Sequence, residues 1–380
     1  MPGPTALQRR FGGLCKAFAL ARSIVYPPSR WLHLPKMMRS TQFKPGGPEN
    51  MSIGEVPLPQ LRPGEVLIKV YMSAINRADT SQRKGLYPSP PGESDILGLE
   101  AAGSVEMIGP GCSSKLNKGD RVMALLAGGG NAEYVAAHED LILQVPTAMT
   151  YREAAAIPEV WLTAYQLLFT VGNVQPNESV LIHAGASGVG TSAVQLTRAV
   201  GKAIPIVTAG SQEKINTALS LHAAAGFNYK EGPFAEKVVE FTKVELTQNY
   251  YACHGIDLIL DCVGGSYWQQ NLDTIAIDGR WVLYGLMGGS VDGNILQKLM
   301  KKRVTLQAST LRTRSIKYKA ALVESFRKNA LPKFASGELK PIIDSEFPLE
   351  KIADAHRLME SNKNTGKILI KVRDEDREEL

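Results

Sequence analysis

Residues Ser179–Arg198 read SVLIHAGASGVGTSAVQLTR. An apolar strand runs to Ala184, a turn carries Gly185, Gly188 and Gly190, and a helix follows with Val189, Ala193, Leu196 and Val200 on one face. Gly201 stands where a helix C-cap belongs. A strand, a glycine turn and an amphipathic helix in that order form a site for a pyrophosphate. Glycines let the backbone come close, and free N–H groups at the helix start meet the negative charge. The spacing is GxxGxG rather than the commoner GxGxxG, so the flanking strand and helix carry the reading.

The end of the next strand bears on the choice of dinucleotide. A site for an unphosphorylated ribose usually places Asp or Glu about 20 residues on. Here the chain reads Thr208-Ala209-Gly210-Ser211-Gln212-Glu213-Lys214, with no acid at the strand tip. Ser211 and Lys214 suit a 2′-phosphate that a carboxylate would repel, so NADPH is the expected coenzyme. Glu213 beside them speaks for the other possibility, an ordinary exposed helix start.

Outward from this unit, strands alternate with helices: strand Ala203–Thr208, helix Gln212–Ala224, strands Asp257–Cys262 and Arg280–Tyr284, and another near Val304–Ala308. That rhythm predicts a doubly wound parallel sheet. A helix Arg152–Val171 leads into it. Before Thr150 the pattern is different, with alternating Glu65–Ala74, Gly-punctuated Ile96–Gly109 and the turn Lys118-Gly119-Asp120 feeding Arg121–Leu126. Such close-spaced strands predict a small β-barrel. Beyond Leu311 come helix Lys317–Asn329, extended Pro341–Phe347, helix Leu349–Ser361 and strand Lys367–Val372, which is expected to return to the first domain.

The chain has 380 residues, with 43 Lys and Arg against 37 Asp and Glu. Eight of the basic residues lie before Glu49, ahead of any acid, and the body that remains has 35 basic against 37 acidic. Such a body does not suit a nucleic-acid backbone, so no nucleic-acid partner is expected. Residues 1–36 are basic and acid-free, with Phe11, Leu14, Phe18 and Val25 near one face of a possible helix that Pro27-Pro28 would end. This is the composition of a mitochondrial transit peptide. If the extension is translated the expected location is the mitochondrion, and otherwise the cytosol; Met37-Met38 offers a start for the shorter chain. No membrane span is expected, because the long uncharged stretch Val160–Asn177 contains Gln166, Gly172, Asn173, Gln175 and Pro176. Cys15, Cys112, Cys253 and Cys262 form neither a disulfide framework nor a CxxC pair. Of the six histidines, His183 reads as a core residue, and His138 and His356 as surface residues.

From about Met38 onward the chain resembles the zinc-free quinone oxidoreductases of the medium-chain dehydrogenase/reductase superfamily. The matching runs are Lys44–Asn50, Ala74–Tyr87, Ile96–Gly103, Ser179–Arg198, Val207–Ser211, Phe227-Asn228-Tyr229, Asp261–Trp268, Asp278–Gly289 and Asn362–Leu369. The resemblance implies an α/β protein in which a GroES-like β-barrel domain is interrupted by a doubly wound Rossmann domain. The expected division is a leader at 1–37, the barrel at 38–160, the Rossmann domain at 161–308, and the return to the barrel with a tail at 309–380. Two features depart from the family pattern, the leader and an insertion at Val244–His254.

Zinc-dependent relatives carry Gly-His-Glu where this chain has Gly98-Leu99-Glu100, and leucine cannot ligate a metal. Metal-free chemistry favours an acceptor that takes hydride readily, which quinones and activated double bonds both are; the resemblance implies the quinone as substrate. The resemblance implies that Ser187, Gly188, Val189 and Gly190 wrap the pyrophosphate, with Ser211, Lys214 and Tyr229 around the 2′-phosphate. It places Cys262, Val263 and Gly264 beside the adenosine ribose, and Tyr284, Gly285, Leu286 and Met287 near the nicotinamide. Asn76 and Tyr87 are expected to project into the cleft. Asn76 would bond the substrate carbonyl or the nicotinamide ribose. Tyr87 would orient and gate the acceptor first and act as an acid second, since a phenol near pKa 10 is a weak acid for this task. The alternatives are an NADPH-dependent 2-enoyl or enone reductase, and a non-catalytic NADPH-holding structural or RNA-binding protein. By the same resemblance a homodimer is expected, joined through Arg280–Tyr284 with Trp281 and Tyr284 at the contact.

Overall fold

The computed structural model describes residues 34–113, 115–244, 255–291, 293 and 295–375. The leader up to residue 33 and nearly all of the insertion expected at Val244–His254 therefore lie outside the described residues. Residues from Lys36 onward form one compact unit, and its first strand begins at Met37.

Two large sheets organise it. The first has six parallel strands in the spatial order Ala225–Asn228, Ile204–Ala209, Ser179–Ile182, Ile256–Asp261, Ile275–Leu283, Thr305–Ala308. This is the dinucleotide-binding order, which reverses between Ser179–Ile182 and Ile256–Asp261 and opens a crevice there. Ser179–Ile182 is buried throughout, as a central strand covered on both faces must be. The second sheet has seven strands. Its path runs Ile343–Pro348, Lys367–Lys371, Glu65–Ile75, Glu100–Ile108, Arg121–Leu125, Ile142–Gln144, and Tyr134–His138 pairs with Glu65–Ile75. Lys367–Lys371 pairs antiparallel with Glu65–Ile75, so a segment from the far end of the chain closes onto the barrel strands. Among the described residues no helix is long and apolar enough to cross a membrane.

Three expectations are corrected. Arg152–Val171 is not one helix: Tyr151–Ala154 ends, Pro158 starts a second helix to Tyr165, and Gln166–Val171 widens into π geometry. Proline lacks the N–H that a continuous helix would need, but it fits a first turn. Arg280–Tyr284 is not a free edge either. The strand there is Ile275–Leu283, flanked on both sides, and Trp281 is buried within its own chain against Trp268 at a 4.5 Å ring separation. The exposed edge is Thr305–Ala308.

The third correction is His356, which is fully buried and accepts a hydrogen bond from Arg83 Nε at 3.3 Å. Burial, reinforced by the Arg83 charge, pushes its pKa down from 6.5 to about 3. A depressed folded-state value means that the unfolded chain binds the proton first. The stability contributed by neutral His356 is therefore complete above about pH 6.5 and is lost as pH falls from there toward 3. His356→Gln is expected to flatten the fall of melting temperature across that window; an unchanged slope would contradict this.

Candidate functional site

The glycine turn sits at the mouth of the crevice. Ala184 leaves the strand with φ 51°, and the helix Gly188–Ala199 begins four residues later. Ser187 caps it, its Oγ accepting from Gly190 N at 3.0 Å. The N–H groups of Gly188 and Val189 have no acceptor among the described residues, and both residues are partly exposed. Two unpaired donors at a helix start are the geometry that takes up a phosphate oxygen. A side chain at Gly190 would meet Ala184 O at 2.2 Å, and one at Gly185 would meet the Val207 side chain at 2.5 Å. Close backbone packing thus requires glycine at both positions.

At the tip of the neighbouring strand, Ser211 Oγ caps the helix Gln212–Ser220 by accepting from Lys214 N at 3.4 Å. The Tyr229 hydroxyl lies over Gly210, and Lys230 reaches the same place. Lys214 Nζ donates to Asn362 O at 2.7 Å, and Arg77 reaches the side-chain oxygen of Asn362 at 2.5 Å. Burial, with the charges of Lys230 and Arg77 assisting, lowers the Lys214 pKa against the pull of Asp344. Lys230 and Arg77 therefore both lie within electrostatic reach of Lys214, the residue whose N–H the Ser211 hydroxyl caps. Lys214 is legible beside the strand tip in the sequence, whereas Lys230 and Arg77 reach it from other segments of the chain. The opposing feature is Glu213, which is fully exposed and held below its usual carboxylate range by the Ser211 hydroxyl.

Across the crevice, Cys262 is buried and its thiol is pushed up to about 12 by desolvation. It is a packing residue, beside the Tyr284 hydroxyl, whose own pKa burial raises strongly. Residues 262–266 and 285–289 are zipped together by Met287 N to Cys262 O at 3.1 Å, Gly288 N to Val263 O at 2.7 Å and Gly265 N to Gly289 O at 2.8 Å. Leu286 and Met287 have exposed side chains on this ledge.

Asn76 stands in the link between the two sheets. Its Oδ1 accepts from Lys367 Nζ at 2.7 Å and its Nδ2 donates to Glu100 Oε1 at 2.8 Å. Lys367 also pairs with Glu100 at 2.7 Å and donates to Ile75 O at 2.9 Å, with both charged groups almost wholly buried. The stem of the same lysine packs against Gly188, since a Cβ there would meet Lys367 Cδ at 2.9 Å. One residue thus fixes Asn76 and touches the glycine turn. The engagement leaves Asn76 one amide hydrogen held only by a 3.5 Å contact to Ala74 O.

Tyr87 lies on a separate wall. The Arg312 guanidinium covers its ring at 5.4 Å and is itself tied to Ala127 O at 2.7 Å and to Gln82 Oε1 at 2.8 Å. Burial raises the Tyr87 pKa, which makes the phenol a still weaker acid. The carboxyl of Glu159 is within electrostatic reach of Tyr87 and is pushed up to about 8 by burial, with Glu100 adding to the effect. Asp79 rises to about 6 through burial, although it accepts from the N–H groups of Asn76 and Gly98. Where a zinc-binding triplet would offer histidine, Leu99 is buried and offers no ligand atom; among the described residues no group of three His, Cys, Asp or Glu could hold a metal ion. His183 is buried as expected, between Thr208 and Asn271.

A GroES-like barrel joined to a dinucleotide-binding sheet, with a glycine turn between them, defines a nicotinamide-dependent dehydrogenase or reductase. Comparison agrees. Residues 62–147 match the alcohol dehydrogenase GroES-like domain, and residues 223–370 match the zinc-binding dehydrogenase family. The chain is 31% identical to the human quinone oxidoreductase over 343 residues, covering 88% of this chain and 98% of that one. Among solved structures it is similar to Escherichia coli quinone oxidoreductase complexed with NADPH, at TM-score 0.77 and 28% identity, covering 88% of this chain and all of that one. It is also similar to the CurK enoyl reductase, at TM-score 0.76 and 26% identity, covering 89% of this chain and all of that one. The chain belongs to the quinone oxidoreductase family of the medium-chain dehydrogenase/reductase superfamily. It is an oxidoreductase with a site for a nicotinamide dinucleotide.

Proposed function

We propose that the protein reduces quinones with NADPH by hydride transfer without a metal. The observation that carries the coenzyme choice is the grouping of Lys230 and Arg77 about Lys214, just past the tip of the strand that precedes Ser211, a charge distribution suited to a 2′-phosphate. Gly185, Ser187, Gly188, Val189 and Gly190 hold the pyrophosphate, and the zipped ledge of Cys262, Val263, Gly264, Tyr284, Gly285, Leu286 and Met287 borders the rest. The coenzyme supplies a hydride, and the quinone gains that hydride and one proton to become the hydroquinone. The chain's contribution is positioning: the acceptor must meet the donor carbon at about 3–3.5 Å. Tyr87, pinned beneath Arg312, stacks on the acceptor ring and closes its side of the cleft. Asn76 presents its remaining amide hydrogen.

A second reading, reduction of an activated carbon–carbon double bond, is favoured by the similarity to the CurK enoyl reductase. NADPH oxidation with 1,2-naphthoquinone and with a crotonyl thioester separates the two. Quinone turnover is expected to exceed thioester turnover, and the reverse order would favour the second reading. Tyr87→Phe is expected to keep quinone turnover within about threefold while Tyr87→Ala loses about tenfold in kcat/KM, roughly 1.4 kcal/mol, because orientation rather than the hydroxyl matters. Equal, large losses in both variants would assign the hydroxyl an acid role instead.

We further propose a homodimer joined through the exposed edge Thr305–Ala308. Leu306 on that strand is exposed, as are Leu296 and Met300 on the preceding helix Ile295–Lys302. An unpaired strand edge beside apolar side chains is a pairing surface. Sedimentation at twice the chain mass of 41.3 kDa is the expected result, and a monomer at micromolar concentration would contradict it.

A further inference from the structure

Beneath the coenzyme ledge lies a buried polar chain that the reaction does not use. Asp261 ends the strand Ile256–Asp261 and is fully buried, yet no cation bonds to it among the described residues. Its Oδ1 accepts from Val263 N at 2.7 Å and from Gly264 N at 3.0 Å. Its Oδ2 accepts from Trp281 Nε1 at 3.0 Å and from Asn271 Nδ2 at 3.1 Å. Because the Asn271 amide donates to Asp261, its Oδ1 faces His183 Nε2 at 2.7 Å and must accept there; His183 Nδ1 then accepts from the Thr208 hydroxyl at 2.9 Å. Burial keeps His183 neutral by lowering its pKa, as this single-donor tautomer requires. The chain thus runs under the sheet ends from Thr208, two residues before Gly210, to the segment that begins at Val263.

We infer that Asp261 is a positioning residue for the coenzyme. It fixes the backbone of Val263 and Gly264, and through their zipper it fixes Gly285–Gly289. Gly264 lies outside the strands with φ 77°, a conformation glycine adopts freely alongside others, so the Asp261 carboxylate rather than a regular ladder selects it here. The inference rests on the coenzyme reading above, since it assigns the ledge to that ligand.

Asp261→Asn tests it sharply. An amide has one acceptor and one donor end, so either the loop N–H groups or the Trp281 indole will face an N–H₂ group. Asn271 can flip and His183 can change tautomer to accept the reversed polarity, but an indole nitrogen only donates. The expected result is a tenfold or greater rise in the NADPH dissociation constant, roughly 1.4 kcal/mol, with kcat at saturating NADPH within about threefold. Trp281→Phe alone is expected to leave that constant within threefold, and adding it to Asp261→Asn is expected to restore most of the lost affinity. Asp261→Asn binding within twofold of the parent, or equal losses in Asp261→Asn and Trp281→Phe, would overturn the inference. If the variant does not fold, hydrogen exchange of the unaltered protein decides: slow exchange of the Val263 and Gly264 amides supports the assignment, and unprotected rates at both refute it. Failure of the unaltered protein to bind NADPH would instead sink the coenzyme reading, and the exchange measurement would still stand.

Discussion

Gly190→Ala will lose its coenzyme affinity while most of the fold survives. The added Cβ would sit 2.2 Å from Ala184 O and 2.7 Å from the carbonyl carbon of Gly185, and both are backbone atoms of the turn itself. No side-chain rearrangement relieves such contacts, so the start of the helix Gly188–Ala199 must move. That movement displaces the two unpaired N–H groups and breaks the Ser187 cap. Overpacking of this kind costs about 1–3 kcal/mol in stability. Binding loses more, since both donors leave the position that a phosphate needs: about 30-fold or greater in dissociation constant, roughly 2 kcal/mol. Titration of coenzyme fluorescence checks this, and affinity within twofold of the parent would contradict it.

Lys367→Met will be the most damaging single change for stability. Lys367 and Glu100 are 3% and 0% exposed, and the ammonium satisfies Glu100, Asn76 and the Ile75 carbonyl together. Removing it strands the Glu100 carboxylate with only the Asn76 amide and the Glu159 N–H as donors. Breaking a buried pair from one side costs about 3–5 kcal/mol, mainly through the uncompensated charge. Denaturant midpoints in a cycle with Glu100→Gln separate this from lost packing: the double variant should recover part of the loss, with a coupling of about 0.5–3 kcal/mol. A Lys367→Met variant as stable as the parent would show that the charge is not isolated. Coenzyme affinity should fall as well, because the lysine stem supports Gly188.

The two predictions draw on features that differ in how far the sequence shows them. The glycine turn is local: strand, turn and helix follow one another within Ser179–Arg198, and the structure has them in place. The alternation of strands and helices likewise carried the parallel sheet. The lysine clamp is not local. Its bond to Asn76 spans 291 positions and the Asn76 bond to Glu100 spans 24, so neither partner marks the other in the sequence. The same distance hid Arg312 over Tyr87 and Arg83 beside His356, 273 positions away, which made a buried histidine read as a surface one. The edge strand is not legible in the sequence for a related reason. Whether Ile275–Leu283 lies inside the sheet depends on Thr305–Ala308 crossing over to its far side, which its own residues do not record. The π turn at Gln166–Val171 also escaped, because its apolar residues fit a regular helix equally well.

Titrating the unaltered protein into NADPH and into NADH while following coenzyme fluorescence asks whether the glycine turn holds a phosphorylated nicotinamide dinucleotide. The expected result is a saturable change with one coenzyme per chain, and an affinity for NADPH at least about tenfold above that for NADH, roughly 1.4 kcal/mol. No response from either coenzyme at saturating protein, or a clear preference for NADH, would contradict it.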